Sequence, residues 1–158
     1  MLASWLHVAA LAIYLGSLLS LWIIYLPTLS RIEDPQEQGR VLARRLRLYN
    51  PLQTGALGVL VLSGALTLTD LKAAYRELFA KELGTILGIK LALAFVLIIF
   101  GIHQTMGVGL PFVRRCDAGE PISSQDIASV TRRLRMTIPP LLILTVLTAY
   151  MGLRMRGF

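Results

Sequence analysis

The sequence predicts an all-α integral membrane protein built as a bundle of four transmembrane helices. Three observations carry that expectation. The chain of 158 residues is 55% hydrophobic and only 16% charged, where a soluble domain carries about a quarter charged residues. Its mean hydropathy is +0.66. Its apolar residues gather in four runs, over 5–29, 51–68, 83–108 and 138–153, and a hydrocarbon core ~30 Å thick takes about 20 helical residues to cross. Little chain is left between the runs, so 1–158 reads as a single domain.

The first run is read as a span and not as a cleavable signal. Met1 to His7 include no lysine or arginine, and the apolar stretch behind them is too long for a signal h-region. The first loop opens with Asp34-Pro35-Gln36-Glu37, where Asp caps a helix, Pro suits its first position and Glu completes a capping box. A helix is expected from there towards Asn50-Pro51 and the second span. Over 70–83, Leu71, Ala74, Tyr75, Leu78 and Phe79 fall on one helical face and Lys72, Arg76, Glu77 and Lys81 on the other, the pattern of an interfacial amphipathic helix. Gly107, Gly109 and Pro111 are expected to end the third span. Ser123-Ser124-Gln125-Asp126 repeats the capping device ahead of the fourth. Gly16, Ser20, Gly55, Gly58, Gly84, Gly88 and Ala92 have the spacing that lets membrane helices approach closely.

The net charge of +7 and pI near 10.2 do not point to nucleic acid, because the basic residues lie in loops beside spans, where they set topology and meet anionic lipid. Arg31, Arg40, Arg44, Arg45 and Arg47 lie in the first loop, and Arg114, Arg115, Arg132, Arg133 and Arg135 in the third. The other side holds Lys72, Arg76, Lys81, Arg154 and Arg156. The positive-inside rule therefore puts loops one and three in the cytoplasm and both termini outside, in what is expected to be a bacterial inner membrane. Cys116 is the only cysteine, so neither an internal disulfide nor a CxxCH haem attachment exists.

The two halves echo one another. Arg44-Arg45-Leu46-Arg47 precedes Pro51 as Arg132-Arg133-Leu134-Arg135 precedes Pro139, and Leu26-Pro27 and Leu110-Pro111 are expected to close spans one and three. Two pseudo-repeated helical hairpins of like orientation would produce this pattern.

All nine acidic residues fall outside the spans, and within them only His7, Lys90 and His103 can carry charge. An ionisable group in hydrocarbon is a functional candidate by default. His7 and Lys90 each lie near the outer start of a span. His103 is ~20 Å deeper than Lys90 and ~140° around the helix axis, so it cannot share a small site with either. A neutral imidazole in an apolar bundle suits haem iron. Tyr14 and Leu11 share the helical face of His7 and would line a porphyrin. Lys90 is the second candidate, as an iron ligand when deprotonated or as a propionate partner when charged. His103 permits a second haem at the cytoplasmic face. Arg44, Arg45, Arg132 and Arg133 are orientation anchors first and candidate propionate or quinone-headgroup contacts second.

At these residues the chain resembles the four-span superfamily of HemJ-type protoporphyrinogen IX oxidases and CopD-like proteins. The resemblance rests on Trp5-Leu6-His7, Leu26-Pro27, Arg47-Leu48-Tyr49-Asn50, Ile89-Lys90-Leu91, and Arg133-Leu134-Arg135 ahead of Pro139. It implies a haem b at His7 with Lys90 beside it. The chain departs from the HemJ-type pattern at Thr137-Ile138, Tyr14 and Thr28, where that pattern has Asn-Glu, Trp and Arg, which bears on porphyrinogen oxidation more than on haem binding. The expected function is electron transfer by a b-type cytochrome, one haem or two, beside redox partner subunits or as a homodimer, with a quinone or porphyrin as candidate substrate. HemJ-like oxidation of protoporphyrinogen IX, CopD-like copper transport and a structural membrane subunit are the alternatives. Met and His clusters suited to copper are absent.

Overall fold

A computed structural model describes the backbone of residues 2–74 and 82–154 and the side chains of 2–66 and 84–153. Every regular element among them is helical. Helix α1 (Leu2–Leu19) runs through a π-helical turn (Ser20–Tyr25) into α2 (Leu26–Leu29). Helix α3 (Pro35–Ala74) follows, then α4 (Glu82–Ile102), a second π-helical segment (His103–Gly109), α5 (Leu110–Asp117) and α6 (Ser124–Arg154). Three helical stretches are long and apolar enough to cross a membrane, Leu2–Leu29, Gly84–Asp117 and Ser124–Leu153. Large apolar side chains such as Trp5, Leu62, Phe95 and Leu153 point outwards, a surface that lipid covers and water does not. The interfacial helix expected over 70–83 lies largely outside the described residues, and its first residues, to Ala74, continue α3.

Both expected N-caps form. Asp34 accepts hydrogen bonds from the backbone N–H groups of Gln36 and Glu37 at 3.1 and 3.2 Å, satisfying donors that an uncapped first turn leaves open. At α6, Ser123 Oγ accepts from Asp126 N–H at 3.1 Å, and the Asp126 carboxylate accepts from Ser123 N–H at 3.0 Å. That reciprocal pair is a capping box with Asp in the third position.

The prolines correct the expected boundaries. Neither Leu-Pro pair closes its helix. Leu26 N–H bonds Leu21 O, and Leu110 N–H bonds Thr105 O, both five residues back, and the next residue in each case is the proline. A widened turn carries the hydrogen-bond ladder past the residue that has no N–H to donate. The glycines expected to stop span three therefore sit inside the second π segment. Pro51 likewise lies within the 40-residue α3, and Pro139 and Pro140 within α6, so the loop helices and the apolar stretches after them are single elements.

Helix α1 packs chiefly along α3, and α4 along α6. The tight core lies towards the arginine-rich ends, where Leu18, Leu21, Leu26, Leu46, Leu134, Ile138 and Leu141 are almost wholly buried. The opposite end is looser. Among the described residues, none of 2–9 or 146–153 is buried, and Ser63 and Leu87 are the only buried residues of 61–66 and 84–90. That open end carries His7 and Lys90.

Candidate functional site

His7 occupies the second turn of α1 and packs on the far end of α3. Its Nδ1 lies 2.9 Å from Ser63 Oγ. Ser63 has one proton to give, and that proton is directed at its own helix, to Val59 O at 2.6 Å, the usual bond of a mid-helix serine. With its proton so directed, the Ser63 oxygen is the acceptor towards Nδ1, and a neutral ring in this arrangement has its hydrogen on Nδ1. In metal-ligating histidines, a hydrogen bond to the other ring nitrogen fixes tautomer and ring orientation.

Lys90 repeats the arrangement in the other helix pair. A Cβ added at Gly64 would meet His7 Cε1 at 3.6 Å, and one added at Gly152 would meet Lys90 Nζ at 3.2 Å. Each basic side chain thus lies over a glycine of the helix that partners its own. Tyr14 and Leu11 continue the His7 face inwards. Tyr14 is 2% exposed and approaches Gly101 of α4, where an added Cβ would lie 3.4 Å from its hydroxyl. Leu11 packs against the core beside it.

The other candidates are elsewhere. His103 is exposed on the π segment, and its ring lies over Gly107 of the same segment, with Nδ1 3.2 Å from where a Cβ would be. The buried positions of that segment belong to Gln104, Val108 and Gly109. Arg44 and Arg45 are exposed near the start of α3, about 28 Å along the helix from Ser63. They are therefore out of reach of any group held by His7. Arg45 instead stacks on Tyr25, its guanidinium carbon 4.7 Å from the ring centroid, a cation–π contact that ties α3 to the end of the first apolar stretch.

One polar feature is absent from the expectations. Tyr49, Asn50, Gln53 and Gln104 are all at least nine-tenths buried between the open end and the arginine-rich end. Gln53 Nε2 donates to the Tyr49 hydroxyl at 3.0 Å and to the Tyr14 carbonyl at 3.3 Å. Asn50 Nδ2, Gln53 Oε1 and Gln104 Nε2 have no hydrogen-bond partner among the described residues, a state that buried amides normally relieve with ordered water. Asparagine and glutamine in apolar stretches are the sequence signal that would have found them. Without charge they do not stand out as His7 and Lys90 do.

No cluster of three or more His, Cys, Asp or Glu side chains placed to hold a bare metal ion occurs among the described residues. His7 and Lys90 bring an imidazole and an amine, side-chain types that can ligate an iron porphyrin, which has four nitrogen ligands of its own. Fold and site together define an all-helical membrane protein with a basic, loosely packed end. Compared with known proteins, the chain matches no family model, no curated protein and no solved structure.

Proposed function

We propose that this chain is a four-span membrane cytochrome that binds b-type haem at the His7 end of the bundle and uses it for electron transfer. The fourth crossing is the apolar part of α3, the arginine-rich ends face the cytoplasm, and both termini lie outside, in a bacterial inner membrane. In this reading the pairs α1–α3 and α4–α6 are duplicated hairpins.

The observation that carries the reading is the His7–Ser63 bond. It leaves the imidazole with its Nε2 lone pair, the form that ligates iron, at the loosely packed end of a bundle that is otherwise tightly filled. Haem, when bound, supplies one-electron redox chemistry. The chain's own contribution is to orient His7 through Ser63, to present the Lys90 amine as sixth ligand or propionate partner, and to seal the inner side with Tyr14. The exposed position of His103 favours one haem over two.

An absorption spectrum of the full chain, purified in detergent and supplied with hemin, tests the proposal. A Soret band with a reduced α-band typical of b haem is expected, absent in His7→Ala and shifted or lost in Lys90→Ala. A preparation that stays colourless overturns it. Complementation of a strain unable to oxidise protoporphyrinogen IX would assign the coloured protein to porphyrinogen oxidation instead of electron transfer.

A further inference from the structure

A cleft of about 440 Å³ opens at the arginine-rich end, between the last turn of the first apolar stretch and the first half of α6. Its walls are of two kinds. Leu26, Leu29 and Met136 supply apolar surface, while Arg132, Arg135 and Thr131 supply polar groups. The arginines are three residues apart on α6 and so lie on one side of the helix. Both are exposed, and neither has a carboxylate partner among the described residues, where Arg47–Asp117, Arg115–Glu120 and Arg115–Asp126 are the ion pairs formed. Thr131 keeps a shielded hydroxyl with no hydrogen-bond partner among the described residues.

We propose that this cleft is a binding site for the phosphodiester headgroup of an anionic phospholipid. Two unpaired guanidiniums side by side make a fork suited to phosphate oxygens. The Thr131 hydroxyl gains in a phosphate oxygen the acceptor it lacks. Leu26, Leu29 and Met136 continue from the cationic rim towards the apolar part of the helices, where the acyl chains of a bound lipid run. A free phosphate would satisfy the arginines but leave those three side chains without a partner, which is why the lipid is the assigned source. The inference depends on the membrane setting and is independent of haem.

Thermal melting of the purified full chain in phosphatidylcholine micelles, with phosphatidylglycerol or inorganic phosphate added, tests the assignment. A ligand of the folded state raises the melting temperature with a saturable dose dependence. Phosphatidylglycerol is expected to do so, and the half-maximal concentration to rise about tenfold or more in R132Q/R135Q. It should stay within about threefold of wild type in R114Q/R133Q, which removes the same charge outside the cleft. Thr131→Val should melt no lower than wild type without phosphatidylglycerol, because an unpaired buried hydroxyl is lost, and should gain less when it is added. Equal shifts in the two arginine double variants would reduce the effect to diffuse surface charge and overturn the site. Saturation by inorganic phosphate at the same concentration would overturn the lipid assignment, as would a wild type indifferent to phosphatidylglycerol.

Discussion

His7 Nδ1 and Ser63 Oγ, 2.9 Å apart, join two helices whose residues are far apart in sequence, and the direction of the bond follows from where the serine proton goes. Because that proton is given to Val59 O, the imidazole must donate. Ser63→Ala therefore removes the acceptor and frees the ring to rotate or to change tautomer. In the hemin-loaded protein we expect about tenfold weaker haem binding and a change in the iron–histidine stretching frequency, read by resonance Raman. Ser63→Thr, which keeps the oxygen, should preserve both. An Ala variant indistinguishable from wild type in frequency and affinity would show that Ser63 does not orient a haem ligand.

The two glycines beneath the basic side chains should respond differently. At Gly64 an added Cβ makes an ordinary van der Waals contact with His7, at 3.6 Å. At Gly152 it comes within 3.2 Å of the Lys90 amine. Gly64→Ala is expected to leave the melting temperature and the hemin spectrum close to wild type. Gly152→Ala should also fold, because the end of a long, flexible side chain can move aside, but it displaces the amine. Its hemin spectrum should resemble that of Lys90→Ala while its stability stays within about 0.5 kcal/mol of wild type. Spectra and melts of the two variants measured side by side decide the matter.

Much of this fold was legible because its signals are local. Asp34 and Ser123 announce helix starts within four residues, and the structure has those caps. The apolar runs announce membrane-length helices, because hydropathy depends on composition and not on neighbours. The Leu-Pro pairs misled for the opposite reason. A proline rules out one donor, but whether the helix stops or widens depends on packing beyond it, and here two π turns absorb the missing donor. His7 and Lys90 stood out as charge in an oily stretch. The Tyr49–Asn50–Gln53–Gln104 cluster did not, because it forms only when α3 and the second π segment meet across the bundle. Arg44 and Arg45, expected as orientation anchors first and as propionate or quinone-headgroup contacts second, lie exposed about 28 Å along α3 from Ser63.

Gly109 is the residue on which that buried amide cluster depends. An added Cβ there would fall 2.6 Å from Asn50 Oδ1 and 2.9 Å from Nδ2, and Asn50 is 5% exposed with little room to withdraw. Gly109→Ala is expected to destabilise the protein by about 1–3 kcal/mol. Asn50→Ala removes the colliding amide, so the double variant should recover most of that loss, a coupling that a double-mutant cycle in detergent measures directly. Simple additivity of the two substitutions would mean that the contact between positions 50 and 109 is not the source of the cost.

The start of α6 gives a pH-dependent prediction. Asp126 lies a dozen residues ahead of the apolar part of that helix. The Arg115 guanidinium, 3.1 Å away, together with the backbone N–H and hydroxyl of Ser123, holds its carboxyl down at about 2. A carboxyl whose folded value lies below its ordinary one near 3.8 favours the folded cap at every pH above that ordinary value. The contribution then disappears as pH falls from about 4 towards 2, because protonation removes the ion pair and weakens the carboxylate's bonds from Ser123. Hydrogen exchange of the first-turn amides of α6 should consequently lose protection across that interval, relative to the first turn of α3. Asp126→Asn, which lacks the charge at every pH, should show reduced protection at pH 6 and no further loss between pH 4 and 2. The Arg115 pair is exposed to salt, so part of the pH 6 protection should also fall at high ionic strength in wild type, and the variant should be insensitive. An acid loss of protection equally large in Asp126→Asn would move the titrating group elsewhere, with Glu120, the other carboxylate paired to Arg115, the next to be replaced.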